Sequence, residues 1–210
     1  MIKCNVTTCG TITSSAEEKT SNDGVKFISF SMVVPLQGKD GSTTERYISV
    51  SAPGDASVIA NYTAGRKVTV AGVLYIRKHD NNLYFNLRTD SKIEINESTA
   101  ADRIEGSMEF KGKIGPKGIK DFKSKKGKDM QSFSAFSSDK NGDNHEFTWV
   151  NFINFSPVHE DYFAAEKYVE VHGDLQFDVF KGELQLECRM KSVAAWELAK
   201  PAEQNGEQQA

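Results

Sequence analysis

The chain repeats itself. Val68-x-Val70-x-Gly72-x-Leu74 returns as Val169-x-Val171-x-Gly173-x-Leu175, Phe30-Ser31 as Phe133-Ser134, and Leu83-x-Phe85 as Leu184-x-Leu186. Gly24 is matched by Gly127 and Tyr47 by Trp149. The spacing between matches stays nearly constant along the chain, which marks an internal duplication. A duplicated chain folds as two copies of one unit, so any architecture proposed for one half must suit the other. Two domains are expected at 1–96 and 107–199, joined by a polar, small-residue linker at 97–106 and followed by a flexible polar tail at 200–210.

Within each copy the pattern is that of β-strands. Thr148-Trp149-Val150-Asn151-Phe152-Ile153-Asn154-Phe155 carries aromatics at alternating places. Residues two apart on a strand share a face, so Trp149, Asn151 and Ile153 look one way and Val150, Phe152 and Asn154 the other. One face fills a core while the opposite face is free to meet a ligand. In the first copy Val6–Ile12 is a strand, Thr13–Gly24 a polar loop, and Ile28, Phe30, Met32 and Val34 the inward face of the next strand. The strand around Tyr47 follows, and the helix expected over Ala56–Tyr62 has apolar residues about a turn apart. Strands over Val68–Tyr75 and Leu83–Leu87 flank a hairpin tip at Asp80-Asn81-Asn82, and Ser91–Ile95 closes the unit. The second copy repeats this order, with its helix over Pro157–Glu166. Five strands with a short helix between the third and fourth define the Greek-key OB barrel, whose strand 2 and 3 face binds oligonucleotides or oligosaccharides. The expected fold class is therefore all-β, two tandem five-stranded OB-fold barrels, each with one short helix plugging its open end.

Composition excludes several classes. With 210 residues, 38% hydrophobic and 26% charged, the chain suits a globular fold. No apolar run approaches the roughly 20 residues of a membrane span, and Met1-Ile2-Lys3-Cys4-Asn5 lacks the core of a secretory signal, so a cytoplasmic protein is expected. Cys4, Cys9 and Cys188 are an odd, sparse set that suits buried thiols in a reducing compartment. No Cys-x-x-Cys pair exists and the four histidines are scattered, so neither zinc nor any other cofactor is expected. The formal net charge of -3 is unevenly spread. Lys111, Lys113, Lys117, Lys120, Lys123, Lys125, Lys126 and Lys128 are interrupted only by Asp121, which makes one cationic segment on an acidic chain.

The stretches Phe27–Val34, Thr44–Val50 and Ala60-Asn61-Tyr62-x-x-Gly65-Arg66-Lys67-Val68-x-Val70-x-Gly72-x-Leu74 resemble the bacterial single-stranded DNA-binding protein family. The second copy is similar through Phe133-Ser134, Thr148-Trp149-Val150-Asn151 and Val169–Leu175, so the resemblance spans nearly the whole chain. It implies a non-enzymatic protein that coats single-stranded DNA with little sequence preference in replication, recombination or repair. It implies base stacking for Trp149 and, with a smaller ring, Tyr47, and it matches Phe155 to another stacking aromatic, where the first copy has Pro53. Tyr75 and Phe180 lie near a further aromatic site on the hairpin before the last strand. Family members commonly present four barrels, which implies a homodimer. The chain ends Glu207-Gln208-Gln209-Ala210 without the family's acidic, Phe-terminated tip, so recruitment of repair enzymes by that route is not expected.

Elementary physics gives the same candidates. Sequence-tolerant binding of one strand requires flat surfaces for unstacked bases, each contributing about 1–3 kcal/mol, and cations along the phosphate path. Trp149, Tyr47 and Phe155 are candidate surfaces; Arg46, Arg77, Lys78, Lys123, Lys125, Lys126 and Lys140 are candidate cations on the hairpins. Two other readings stay open. One is an OB module acting as an assembly or mediator subunit, or preferring RNA. The other is an enzyme on the same scaffold, for which only His159-Glu160-Asp161 offers a carboxylate cluster, placed at the start of the expected helix.

Overall fold

The computed structural model describes residues 2–80, 82–142 and 144–197, the side chains of Asn141 and Phe180 excepted. The chain runs through β1 (Ile2–Thr20), β2 (Lys26–Gln37), β3 (Thr43–Pro53), β4 (Lys67–His79), β5 (Asn82–Arg88) and β6 (Glu94–Asn96). The second half follows with β7 (Arg103–Ile114), β8 (Lys120–Lys123), β9 (Asp129–Asn141), β10 (Asn144–Asn154), β11 (Tyr168–Phe180) and β12 (Glu183–Ala195). Alternation builds these strands as the sequence leads one to expect. Ile28, Phe30, Met32 and Val34 of β2 are buried, as are Val150, Phe152 and Asn154 of β10, and the residues between them are not.

Both halves pair in the same circuit. β1 pairs with β2 and β4, β2 with β3, β3 runs parallel to β5, and β5 returns to β4. In the second half β7 pairs with β9 and β11, β9 with β10, β10 runs parallel to β12, and β12 returns to β11. Short β8, paired with β9, takes the place that the far end of β1 takes beside β2. The matched hairpins even share turn chemistry. Gly24 and Gly127 both have φ of 78°, a left-handed conformation glycine adopts without strain, and in each case a serine hydroxyl three residues earlier accepts an amide hydrogen bond from the residue that follows the glycine.

Each circuit encloses apolar side chains. In the second, Phe152 stacks on Phe133 at 4.7 Å and meets Phe110 edge-on at 5.0 Å, while Phe163 closes the end against Phe133 at 5.0 Å. Burying a side chain of this size contributes about 1.5–3 kcal/mol.

β1 and β7 join the halves into one sheet, antiparallel from Lys3↔Glu109 to Cys9↔Arg103. Val6 faces Gly72 on β4 as Met108 faces Gly173 on β11, so Asn5 and Ser107, which face each other, are counterparts and an approximate two-fold axis passes between them. The hairpin tips obey the same symmetry. Asp40 in the β2–β3 turn accepts a hydrogen bond from the Lys181 amide at 3.0 Å, and Glu146 beside the β9–β10 turn accepts one from the Asp80 amide at 2.9 Å. Each unit thus inserts its second hairpin against the last hairpin of the other.

Several expectations are corrected. The Pro157–Glu166 segment forms turns and no helix: Gln131 takes the Val158 amide, Asn154 takes that of Ser156 just before the segment, and Glu166 has φ of 64°, which no right-handed helix admits. From this segment the side chain of Phe163 is buried against Phe133. The Ala56–Tyr62 helix shrinks to a 3-10 turn at Ile59–Asn61, because so short a segment closes only bonds three residues apart, from the amides of Val58, Asn61 and Tyr62 to the carbonyls of Asp55, Val58 and Ile59. The polar loop at Thr13–Gly24 is largely strand, since β1 continues through two bulges to Thr20 as an exposed hairpin arm. Arg103–Gly106, read from the sequence as linker, belong to β7, and Ile104 is buried. The tail at 200–210 lies outside the described residues.

Candidate nucleic-acid interface

The outward face of β9 and β10 carries an aromatic cluster. Trp149 is 48% exposed and lies 4.9 Å from Phe136, its cross-strand partner, at 52°. Phe136 meets Phe147 edge-on at 5.2 Å, and exposed Phe155 continues the same parity past the end of β10. The indole rests on the chain itself at Gly115, where an added Cβ would stand 3.0 Å from the ring. Gly115 is pinned there by donating its amide hydrogen bond to the Ser134 carbonyl at 2.8 Å. The ring is therefore held in place while half of it stays free.

Beside the aromatics runs a polar rib. The Ser134 hydroxyl donates to Asn151 Oδ1 at 2.8 Å, and Asn151 Nδ2 approaches Gln185 Oε1 at 3.4 Å. Together with Gly115–Asp121, Ser134 and Asn151 line a cleft of about 1080 Å³ that also takes in Ile153 and Glu187. Exposed Lys117 and Lys120 stand on its rim. The chemistry is that of a surface for stacked planar groups, with neutral hydrogen-bonding groups beneath and cations at the edge. Two carboxylates are the exceptions, Asp121 and Glu187; burial raises the Glu187 carboxyl above the ordinary carboxylate range, Asp178 adds to this, and Lys39 and Arg189 oppose it.

The first unit presents the same face with different side chains. Tyr47, 60% exposed, faces Val33 instead of an aromatic, and its hydroxyl donates to Glu45 at 3.0 Å. Ser49 and Asn86 stand where the second unit has Asn151 and Glu187. Tyr75 and Arg77 line a shallow cleft with Asn86 and Arg88, and exposed Tyr84 lies opposite Arg77.

The candidate cations scatter. Arg46 lies on the opposite side of β3 from Tyr47 and enters a cleft of about 490 Å³ between the units, where Lys78, Phe147, Trp149 and Glu183 also meet. Its Nε is buried without a hydrogen-bond partner among the described residues, and burial lowers its pKa against the pull of Glu183. Arg46 and Lys78, read from the first copy, thus belong beside the Trp149 of the second. Lys123 pairs with Asp129 at 2.9 Å, and Lys125 and Lys126 occupy the turn beyond it; none of the three lines the Trp149 cleft. Lys140 is exposed near the β9–β10 tip, facing His145. The Phe180 side chain lies outside the described residues.

Phe136, Phe147, Tyr84, Lys117 and Lys120 are residues that sequence reasoning passed over as site members. The three aromatics share outward parity with Trp149 and Tyr75, a signal already present in the alternation. The lysines could not be separated from their neighbours by spacing alone. His159-Glu160-Asp161 lies in the turn segment outside the aromatic cleft, so no helix start organises it. His79, Asp80 and Glu146 bring ligand-type atoms within 4.8 Å of one another at the junction of the hairpins, where they are engaged with each other. No helix among the described residues is long and apolar enough to cross a membrane.

No family model matches the chain, and no curated protein does. Among solved structures, the chain is similar to wild-type single-stranded DNA-binding protein from Thermus aquaticus at 13% identity and a TM-score of 0.46, covering 100% of this chain and 98% of that one. It is also similar to Plasmodium falciparum SSB in complex with ssDNA at 17% identity and a TM-score of 0.35, covering 44% of this chain and 95% of that one.

Proposed function

We propose that the chain binds single-stranded DNA, without catalysis and with broad sequence tolerance, through the outward faces of two OB-type barrels. The observation that carries this is the fixed, half-exposed Trp149 with Phe136, Phe147 and Phe155 about it, on a strand whose opposite face is core. Exposed aromatics cost solubility unless a ligand covers them, and unstacked bases are flat, apolar-faced ligands with a polar rim. The closed pairing circuits and the parallel β3–β5 and β10–β12 contacts support the barrel reading. The sequence resemblance points the same way.

The strand runs along the lysine rim of the second unit, past Trp149, and into the inter-unit cleft where Arg46 and Lys78 meet its phosphates. Coating of single-stranded intermediates in replication, recombination or repair follows from such binding. Two chains pair to present four barrels, a state that sedimentation at binding concentrations tests; a monomer would refute it. Anisotropy of a labelled oligo-dT at low salt tests the binding itself. Saturable binding that a matched duplex fails to displace is expected, and absence of binding would overturn the proposal. Matched DNA and RNA oligomers decide against the RNA alternative if DNA competes better, since the 2′-hydroxyl is what separates them.

A further inference from the structure

Of the two carboxylates that line the aromatic cleft and oppose a polyanion, Asp121 accepts a hydrogen bond from Gln131 Nε2 at 3.0 Å, and the other is Glu187. It sits on β12 directly beside Asn151, one rung along the shared face from Trp149, since residues two apart on a strand are about 6.8 Å apart. It lines the same cleft as Trp149, Asn151, Ser132 and Ser134. No hydrogen bond or ion pair among the described residues engages its carboxylate, whereas Asn151 is held by Ser134 and Gln185. Lys39 and Arg189 act on it only through their fields, and Asp178 adds negative charge. A carboxylate with lone pairs open to a stacking cleft is an acceptor that requires a donor from the ligand.

Nucleobases differ in what they offer there. Cytosine, adenine and guanine present an exocyclic amino group to such an acceptor, while thymine and uracil present an N–H flanked by two carbonyl oxygens, which a carboxylate repels. The matching place in the first unit is Asn86 beside Ser49, neutral and able to donate or accept. Selection at this rung therefore belongs to the second unit alone.

We propose that Glu187 is a base-selecting residue, which accepts a hydrogen bond from the exocyclic amine of a base next to Trp149 and disfavours thymine and uracil at that position. This rests on the single-stranded DNA reading and places a modest preference on top of a sequence-tolerant interface.

The test is competition between oligo-dC and oligo-dT of equal length against the full chain, at matched salt and neutral pH, for the parent, Glu187→Gln and Glu187→Asn. The parent is expected to prefer oligo-dC by about tenfold, the worth of one charge-assisted hydrogen bond. Both variants are expected to lose most of that preference, chiefly by gaining affinity for oligo-dT. Circular dichroism confirms that each variant is folded. Equal tightening of both oligomers in the variants would show that Glu187 only repels phosphate and would overturn the assignment while leaving DNA binding intact. A parent that prefers oligo-dT would also overturn it. Failure of the parent to bind either oligomer would instead count against the single-stranded DNA reading itself.

Discussion

Trp149 and Tyr47 occupy equivalent places on equivalent strands and differ in what surrounds them. The indole lies on Gly115 with Phe136 at its side, whereas Tyr47 has Val33 as its cross-strand neighbour and a hydroxyl tied to Glu45. A held ring loses little freedom when a base stacks on it. Trp149→Ala should therefore cost about 1–3 kcal/mol of oligo-dT affinity, and Tyr47→Ala less. Anisotropy titrations of the two variants decide the order, and a larger loss from Tyr47→Ala would reverse it. Glu187 gives a prediction in pH. Its carboxyl is raised in the folded chain, so the folded state keeps the proton to higher pH than the unfolded chain does. Its stabilising contribution is complete below the unfolded value and lost as pH rises through the folded one. Glu187→Gln should then leave the urea midpoint nearly unchanged in acid and raise it at alkaline pH. Equal effects at both would contradict this. At this scale the exposure of Trp149 was legible from alternation. Phe136 and Phe147 carry the same signal, but a phenylalanine on a strand resembles core until its partner strand fixes which side it faces.

β10 divides its duties by face. Phe152 stacks on Phe133 and meets Phe110 within the core, and its neighbours in sequence point at solvent. Phe152→Ala should cost about 3–5 kcal/mol of stability in urea, since it leaves a cavity among rings that cannot collapse into it. Trp149→Ala should barely move the same midpoint. The lysine-rich segment divides its duties along its length. Lys117 and Lys120 edge the cleft, while Lys125 and Lys126 sit at the far turn. Replacing Lys117 and Lys120 by Gln should flatten the salt dependence of binding by about 0.7 per lysine, and replacing Lys125 and Lys126 should leave the slope alone. Titrations over a salt series measure both. The strands themselves were legible because alternation records burial directly. The helices were not, because Pro157–Glu166 has helical spacing but is pinned at Val158 by the side chain of Gln131, which comes from β9.

Between the two units, β1 and β7 pair about the Asn5–Ser107 contact and the hairpin tips insert reciprocally. The approach is close enough that a Cβ on Gly106 would stand 2.0 Å from the Asn5 carbonyl oxygen. Gly106→Val should part the two strands, so that one urea transition becomes two; a single unshifted transition would show that the hairpins alone hold the units together. The duplication itself stood in the sequence, yet its geometry did not. Alternation says that Val6 and Met108 are buried and is silent on whose edge each strand joins, and only that joining brings Arg46 and Lys78 of the first unit to Trp149 of the second. The proposed role of this composite surface is to bind one strand of DNA by stacking and by charge. It is tested by titrating labelled oligo-dT over a series of salt concentrations with the parent and Trp149→Ala. Affinity is expected to fall linearly with log salt in both proteins, with Trp149→Ala weaker throughout and of equal slope, because stacking was removed and no phosphate contact was. No binding by the parent at low salt, or identical curves for the two proteins, would contradict it.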